Sequence, residues 1–238
     1  MASFKLTRRD ILQGLAVLGA ATITGCGTSN EVLLPNDTPS GPVRGFVQPP
    51  VLTGGNAAVF DTTLTTRFER NTVAGREIFT RTYEGMIGGP TLRVRPGQTL
   101  RLRLINGFPP DSEFNTTNIH THGLHVSPEG NSDNIFLEIA PQTELEYEFR
   151  IPADHPSGTF FYHPHKHGSA AVQMFSGMAG ALIIEGGLDD VPEVAAARDW
   201  VFLINELNID PATGQVPNFT GDVFPRANRI LTVNGQYR

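Results

Sequence analysis

Histidine is the residue type whose spacing carries the clearest chemistry in this chain. All seven histidines fall between residues 120 and 167, and four of them form two His-x-His pairs, one in His120–His122 and one in His163–His165. Alternate residues of a strand point to the same face of a sheet, so each pair presents two imidazoles side by side. Nitrogen donors without cysteine suit copper, zinc, iron or nickel, and copper binds most tightly in that divalent series. The two pairs therefore predict a metal site where four imidazoles converge.

The other histidines and two nearby methionines are weaker candidates for that site. His125 is an odd number of positions beyond the first pair, so on a continuing strand it points away from the pair. His155 precedes a proline and reads as a turn residue. His167 is either a third ligand of the second pair or a loop residue. Met174 and Met178 are either copper ligands or core residues, and the core interpretation is favoured.

Hydrophobic residues that alternate with polar ones predict the strands that position these pairs. The alternation is clear around Leu92, over Leu100–Leu104 and over Leu145–Ile151, while Ala179–Ile184 and Val201–Ile204 are apolar runs typical of buried strands. The only helix expected after the leader is a short one over residues 191–198. Short strands separated by Pro and Gly turns predict an all-β Greek-key sandwich or barrel.

Composition excludes several other classes of protein. The chain has 238 residues, a formal net charge of −6 and 39% hydrophobic residues, which is enough apolar surface for a packed core. Lys and Arg do not cluster outside the first ten residues, so no nucleic-acid partner is expected. The single cysteine, Cys26, excludes a disulfide framework and a cysteine-rich zinc site.

Residues 1–25 read as an export signal, with Cys26 directly after them. Arg8 and Arg9 precede an apolar run from Ile11 to Ile23, which is shorter than the ~20 residues that span a bilayer. The arginine pair resembles the twin-arginine export motif, and the residues before Cys26 resemble a bacterial lipobox. The sequence therefore predicts a protein of the periplasm or cell envelope, anchored by a lipid if Cys26 is modified.

Four stretches of the chain together resemble the multicopper oxidase family. They are Gly89–Gly97, Asn118–Gly123, Phe161–His165 and Gly177–Ile184. The resemblance implies an oxidoreductase of cupredoxin fold that takes single electrons from a substrate, such as a phenol or a metal ion, and reduces dioxygen to water. It implies a trinuclear copper cluster, to which this chain supplies half of the histidine ligands.

The resemblance also implies a role for individual residues. His120 would bind the type 2 copper, His122 and His163 would share one type 3 copper, and His165 would bind the other. Asp133 lies where the family often has an acid that passes protons near the type 2 copper. A plain turn aspartate is the alternative at that position.

The family's other cluster histidines and its type 1 copper site have no counterpart here, because no histidine follows His167. We therefore expect an N-terminal portion of a longer oxidase, inactive alone. Its predicted segments are a signal peptide (1–25), a tether (26–55), a first cupredoxin domain (56–186) and the start of an incomplete second one (187–238). The alternatives are a non-enzymatic copper-binding or structural cupredoxin-fold protein of the envelope, and a copper nitrite reductase, against which two complete pairs in one domain argue.

Overall fold

The computed structural model describes residues 45–217 and 229–237. The predicted signal peptide, Cys26 and most of the predicted tether lie outside these residues. The strands of the described part are β1 (Val51–Thr53), β2 (Val59–Val73), β3 (Arg76–Tyr83), β4 (Thr91–Val94), β5 (Thr99–Asn106), β6 (His120–His122), β7 (Glu144–Arg150), β8 (Gly158–His163), β9 (Gly180–Ile184), β10 (Ile204–Asn208) and β11 (Arg229–Val233). Its helices are α1 (Ala170–Phe175) and α2 (Pro192–Ala195), with a 3₁₀ turn at Gly187–Asp190. None of the described helices is long and apolar enough to cross a bilayer.

Two sheets form the body of the described structure. One has the strand order β1-β4-β9-β8-β6 and the other β3-β2-β5-β7, while β10 and β11 form a separate antiparallel pair. Four of the predicted strands are confirmed as β4, β5, β7 and β9. The prediction of an all-β chain is therefore confirmed.

Strand β5 shows how alternating leucines and arginines give a strand one buried face and one exposed face. Leu100, Leu102 and Leu104 are completely buried, and the arginines that alternate with them are exposed. On the outer face, Arg101 pairs with Glu148 at 3.2 Å and Arg103 pairs with a glutamate of β7. Exposed ion pairs of this kind contribute at most about 1 kcal/mol each, so burial of the leucines dominates the stability of the strand.

The strand expected over Val201–Ile204 is wrong in its placement, because β10 begins only at its last residue. Two side chains accept hydrogen bonds from backbone N–H groups of the segment before β10. The side-chain oxygen of Gln48 accepts the N–H of Val201, and that of Asn234 accepts the N–H of Leu203. These donors are therefore satisfied outside any strand ladder.

The helix prediction needs two corrections. The expected helix over residues 191–198 is present but shorter, as α2, with Pro192 at its first position, where a missing N–H costs nothing. Helix α1 was not expected. It carries the fully buried Gln173, whose amide donates to the carbonyls of Phe114 and Thr116. Tertiary hydrogen bonds hold this short helix, and no helical period in the sequence indicates it.

The segment after residue 203 packs on the first half of the chain. Leu207, Ile209 and Val216 share a buried cluster with Val73 and Ile78 of the β2–β3 hairpin. The N–H of Phe79 also donates to the carbonyl of Gly214. Residues on both sides of the predicted boundary at 187 therefore contribute to one core cluster, and the boundary itself stays a prediction.

Candidate metal centre

Strands β6 and β8 bring the two histidine pairs together. They run antiparallel, with His120 directly opposite His163 and His122 opposite Phe161. Gly123 ends β6 with a positive φ of 92°, a backbone conformation that glycine adopts without strain. The His-x-His-Gly sequence therefore forms a very short strand that turns away immediately after its second imidazole.

Three of the imidazoles converge at the distance that a metal ion requires. His120, His122 and His163 each offer a nitrogen within 4.8 Å of the other two. The closest approach joins Nδ1 of His122 to Nε2 of His163, at 3.3 Å. Imidazole–metal bonds are about 2.0–2.1 Å long in zinc proteins, so one ion can bind both nitrogens at this separation. The donor set consists of neutral nitrogens, which suits copper.

His165 is the fourth member of the cluster, although it lies beyond the end of β8. Its ring centroid is 5.2 Å from that of His120 and 6.0 Å from that of His163. The structure therefore brings together all four of the histidines selected from the sequence. Three of them lie on paired strands, and the fourth lies on the segment that follows Pro164.

Hydrogen bonds to the outer ring nitrogens orient two of these imidazoles. Nδ1 of His120 lies 3.0 Å from Oδ1 of Asp133, and Nδ1 of His163 lies 3.0 Å from the carbonyl oxygen of Pro164. Both partners are acceptors, so we assign the ring proton to Nδ1 in each histidine. Nε2 of each ring is then left with a free lone pair on the side of the cluster, as a metal ligand requires.

The environment of His163 keeps its ring neutral. Burial lowers the pKa of His163 to about 4, and the imidazoles of His120, His122 and His165 act in the same direction, while the hydrogen bond to the Pro164 carbonyl acts against them. Protonation would place a positive charge in a buried site next to three other potential cations. The ring is therefore in its ligand form at neutral pH.

Asp133 is buried and holds the first pair in place. Its Oδ1 atom accepts the backbone N–H of Thr121 at 2.9 Å as well as the ring proton of His120. The aspartate thereby contacts the strand residue between the two imidazoles. Whether Asp133 is also a proton-passing acid stays a prediction.

The remaining histidines lie in other environments. Nδ1 of the buried His155 lies 2.8 Å from the carbonyl of Pro156, and its Nε2 accepts the backbone N–H of His125 at 3.0 Å. Both ring nitrogens of His155 are therefore used, and it fastens two loops. The side chains of His125 and His167 are exposed.

The two methionines have different surroundings. Met178 is completely buried in the main core, in agreement with the core interpretation. Met174 lines an apolar groove of about 840 Å³ beside the cluster, together with His163, His165, Trp200 and Phe202. The groove places aromatic side chains next to the second histidine pair.

Sequence reasoning missed one polar residue that contacts this site. Asn118 is buried, and its side-chain oxygen accepts the backbone N–H of His165 at 2.7 Å. Its partners are 17 to 47 positions away along the chain. Asn118 is the first residue of the family-like stretch Asn118–Gly123, but nothing in that stretch distinguishes a residue that supports a ligand from its neighbours.

Comparison with known proteins identifies similar proteins among the multicopper oxidases. A family model described as multicopper oxidase matches residues 66–188, just over half of the chain. A multicopper oxidase of Staphylococcus haemolyticus is 30% identical over 53% of this chain and 28% of its own length. A copper resistance protein A homolog of Pseudomonas syringae is 31% identical over 87% of this chain and 31% of its own length. The chain thus spans about a third of the length of these relatives.

A solved structure gives the same picture of the fold. The metallo-oxidase described as a multicopper oxidase from Campylobacter jejuni matches 81% of this chain and 41% of its own, with a TM-score of 0.60 and 26% identity. The all-β architecture described above is therefore cupredoxin-like.

Proposed function

This chain belongs to the multicopper oxidase family, and from that membership we propose that it supplies four imidazole ligands to the copper cluster of an exported oxidase. The observation that carries the proposal is the convergence of His120, His122 and His163, whose nitrogens lie within 4.8 Å of one another. His165 completes the set from the adjoining segment. Copper is the cofactor of the family, and neutral nitrogen donors fit it.

We assign the individual ligands as the resemblance implies. His120 would bind the type 2 copper, His122 and His163 would share one type 3 copper, and His165 would bind the other. The 3.3 Å approach of His122 Nδ1 to His163 Nε2 supports the shared ion. When bound, the copper ions would supply redox chemistry that takes single electrons from a substrate and passes four to dioxygen.

The chain's own residues would prepare the site for that chemistry. Asp133 and the Pro164 carbonyl accept hydrogen bonds from Nδ1 of His120 and of His163, respectively. Nε2 of each ring is therefore free to bind a metal ion. Burial keeps His163 neutral. As the family resemblance implies, we also propose that Asp133 passes protons for dioxygen reduction, through Oδ2, because Oδ1 already accepts two hydrogen bonds.

The proposal extends to a protein longer than the 238 residues. No histidine follows His167, so the other cluster ligands and the type 1 copper site would come from a further segment. The apolar groove beside His163 and His165 is one surface such a segment could cover. The reducing substrate, phenolic or metal ion, would bind at the type 1 copper site of that further segment, and the 238 residues alone would be inactive. We also propose export through the Arg8-Arg9 signal and lipidation at Cys26.

Copper stoichiometry tests the proposal directly. The chain is dialysed against buffered Cu(II), and its bound copper is compared with that of His120→Ala/His122→Ala and His163→Ala/His165→Ala. The matched control is His125→Ala/His167→Ala, which also removes two imidazoles but only exposed ones. We expect both pair variants to lose copper and the control to retain it.

Two results would contradict the proposal. Retention of copper by both pair variants, with its loss in the control, would make the ligand assignment wrong. A wild-type chain that binds no copper would instead favour a structural cupredoxin-fold protein of the envelope. His155 is unsuitable as a control, because both of its ring nitrogens hold loops together.

A further inference from the structure

Asn118 makes three hydrogen bonds that connect separate parts of the cluster. It is completely buried. Its Oδ1 accepts the N–H of His165 at 2.7 Å, and its Nδ2 donates to the carbonyls of Ile135 at 2.8 Å and Leu137 at 3.1 Å. A carboxamide has one acceptor oxygen and two donor hydrogens, so these bonds use both ends of the group. Turning the amide over would bring donor against donor, and its orientation is therefore fixed.

The bond to His165 continues the sheet past the point where the backbone ladder stops. In the antiparallel pairing of β6 and β8, His120 lies opposite His163. The same register, carried two residues further, places Asn118 opposite His165. Strand β8 ends at His163, and the next residue along the chain, Pro164, has no N–H to donate. The side-chain oxygen of Asn118 thus supplies the acceptor for His165 where the ladder has ended.

The other two bonds of Asn118 reach the loop that follows Asp133. Ile135 and Leu137 belong to this loop, and Asp133 at its start contacts the ring of His120. An ion pair of 3.0 Å between Lys166 and Glu138 joins the same loop to the residue after His165. Asn118 is therefore the buried point where the first pair, the Asp133 loop and the His165 segment meet.

We propose that Asn118 is a positioning residue of the copper site, whose carboxamide fixes His165 relative to His120 and thereby raises copper affinity. The inference rests on the proposed function, because it treats His165 as a copper ligand. His165 is exposed and lies outside the strand. Without the acceptor oxygen, its N–H bonds to water instead and its ring is no longer held among the other three. Removal of a group that hydrogen-bonds to a metal ligand and orients it typically lowers metal affinity 10–100-fold.

Amide hydrogen exchange on the copper-free chain tests the structural half of the proposal. The variants are Asn118→Ala, which removes all three bonds, and Asn118→Asp, which keeps an acceptor for His165. The control is Asn106→Ala: Asn106 is equally buried, and its amide donates to the carbonyls of Asn115 and Ile139. We expect exchange at the His165 amide to accelerate roughly tenfold or more in Asn118→Ala alone. Unchanged protection there would overturn the proposal.

Cu(II) affinity tests the functional half, through a double-mutant cycle. Titrations compare the wild type, Asn118→Ala, His165→Ala and the double variant. We expect Asn118→Ala to weaken binding roughly 10-fold, and to cause no further loss when His165 is already alanine, because it acts through that ligand. If Asn118 had only a structural role, its loss of copper affinity would add to that of His165→Ala. The Asn106→Ala control would then lose affinity as well.

The outcomes separate the two proposals. Suppose that the wild type binds copper and that His165→Ala weakens the binding. If Asn118→Ala then binds copper as tightly as the wild type, or if its loss of affinity adds to that of His165→Ala, only this inference is overturned. If the wild type binds no copper, the proposed function fails and this inference fails with it. Should Asn118→Ala not fold, Asn118→Ser, which keeps a polar group but is too short for all three bonds, takes its place in both measurements.

Discussion

Asp133 supports the first histidine pair with a single carboxylate oxygen. That oxygen accepts the backbone N–H of Thr121 and the ring proton of His120, and the aspartate is itself buried. Removal of the carboxylate would leave a buried N–H without a partner and would free the ring of His120 to rotate. Stability and copper affinity are therefore expected to depend on the same atom.

Substitution of Asp133 tests the importance of these two contacts. Asp133→Ala is expected to lower the free energy of unfolding by about 1–3 kcal/mol, because a buried donor loses its acceptor. It is also expected to weaken Cu(II) binding roughly 10–100-fold, because His120 loses its support. Denaturant unfolding of the copper-free chain and Cu(II) titration measure the two effects separately.

The control variants for this prediction are Asp133→Asn and Asp154→Ala. The amide oxygen of Asp133→Asn can still accept both bonds, so it should keep most of the stability and the affinity. The exposed Asp154 lies in a turn, and its loss should change neither. Full copper affinity in Asp133→Ala would show that His120 needs no support from this carboxylate.

At the residue scale, the sequence predicts ligands better than it predicts what holds them. The spacing of the two His-x-His pairs predicts them as ligands, because alternate residues of a strand lie on the same face. Asp133 was found only through the resemblance to the family. Asn118 was missed, because its partners Ile135, Leu137 and His165 become its neighbours only when distant segments fold together.

At the scale of elements, the position of His163 depends on how closely β8 packs against β9. Tyr162, its neighbour on β8, is completely buried, and its hydroxyl donates to the carbonyl of Pro90 at 2.7 Å. Gly180 at the start of β9 leaves the space that the phenol ring occupies, because a β-carbon at that position would overlap the ring. The glycine is therefore required by close approach.

The element-scale prediction is that Gly180→Ala destabilises the chain and disturbs the cluster. Overpacking of a tight core typically costs about 1–3 kcal/mol, and the ring of Tyr162 is held at both ends, by its hydroxyl and by the strand. Thermal unfolding should show the loss, and Cu(II) affinity should fall because His163 moves with Tyr162.

Gly45→Ala is the matched control, because a β-carbon at Gly45 meets open space. Its effect on stability should stay within about 1 kcal/mol. A Gly180→Ala variant as stable as Gly45→Ala would show that the β8–β9 contact can relax without cost, and that Tyr162 does not hold His163.

The strands that alternate clearly were the predictable elements. β5 and β7 were found because their leucines and aromatic residues recur with a period of two. Helix α1 was not found, since Gln173 holds it through bonds to Phe114 and Thr116 rather than through an amphipathic pattern. The placement of β10 was wrong because the side chains of Gln48 and Asn234 capture the preceding N–H groups.

At the scale of the whole molecule, the described part of the chain offers an apolar face beside its histidine cluster. Trp200 and Phe202 are 42% and 63% exposed, and both line the groove that reaches His163 and His165. Contiguous exposed apolar patches are typical of surfaces that bind another segment or molecule. This agrees with the proposal that further cluster ligands come from outside these 238 residues.

Whether the two histidine pairs jointly bind copper can be decided with a crystal of the copper-loaded chain. Anomalous diffraction measured at the copper absorption edge locates the metal without reference to any assumed ligand. We expect an anomalous peak within bonding distance of His122 Nδ1 and His163 Nε2, beside His120. Copper found only at the exposed His125 or His167, or no copper peak within reach of either pair, would contradict it.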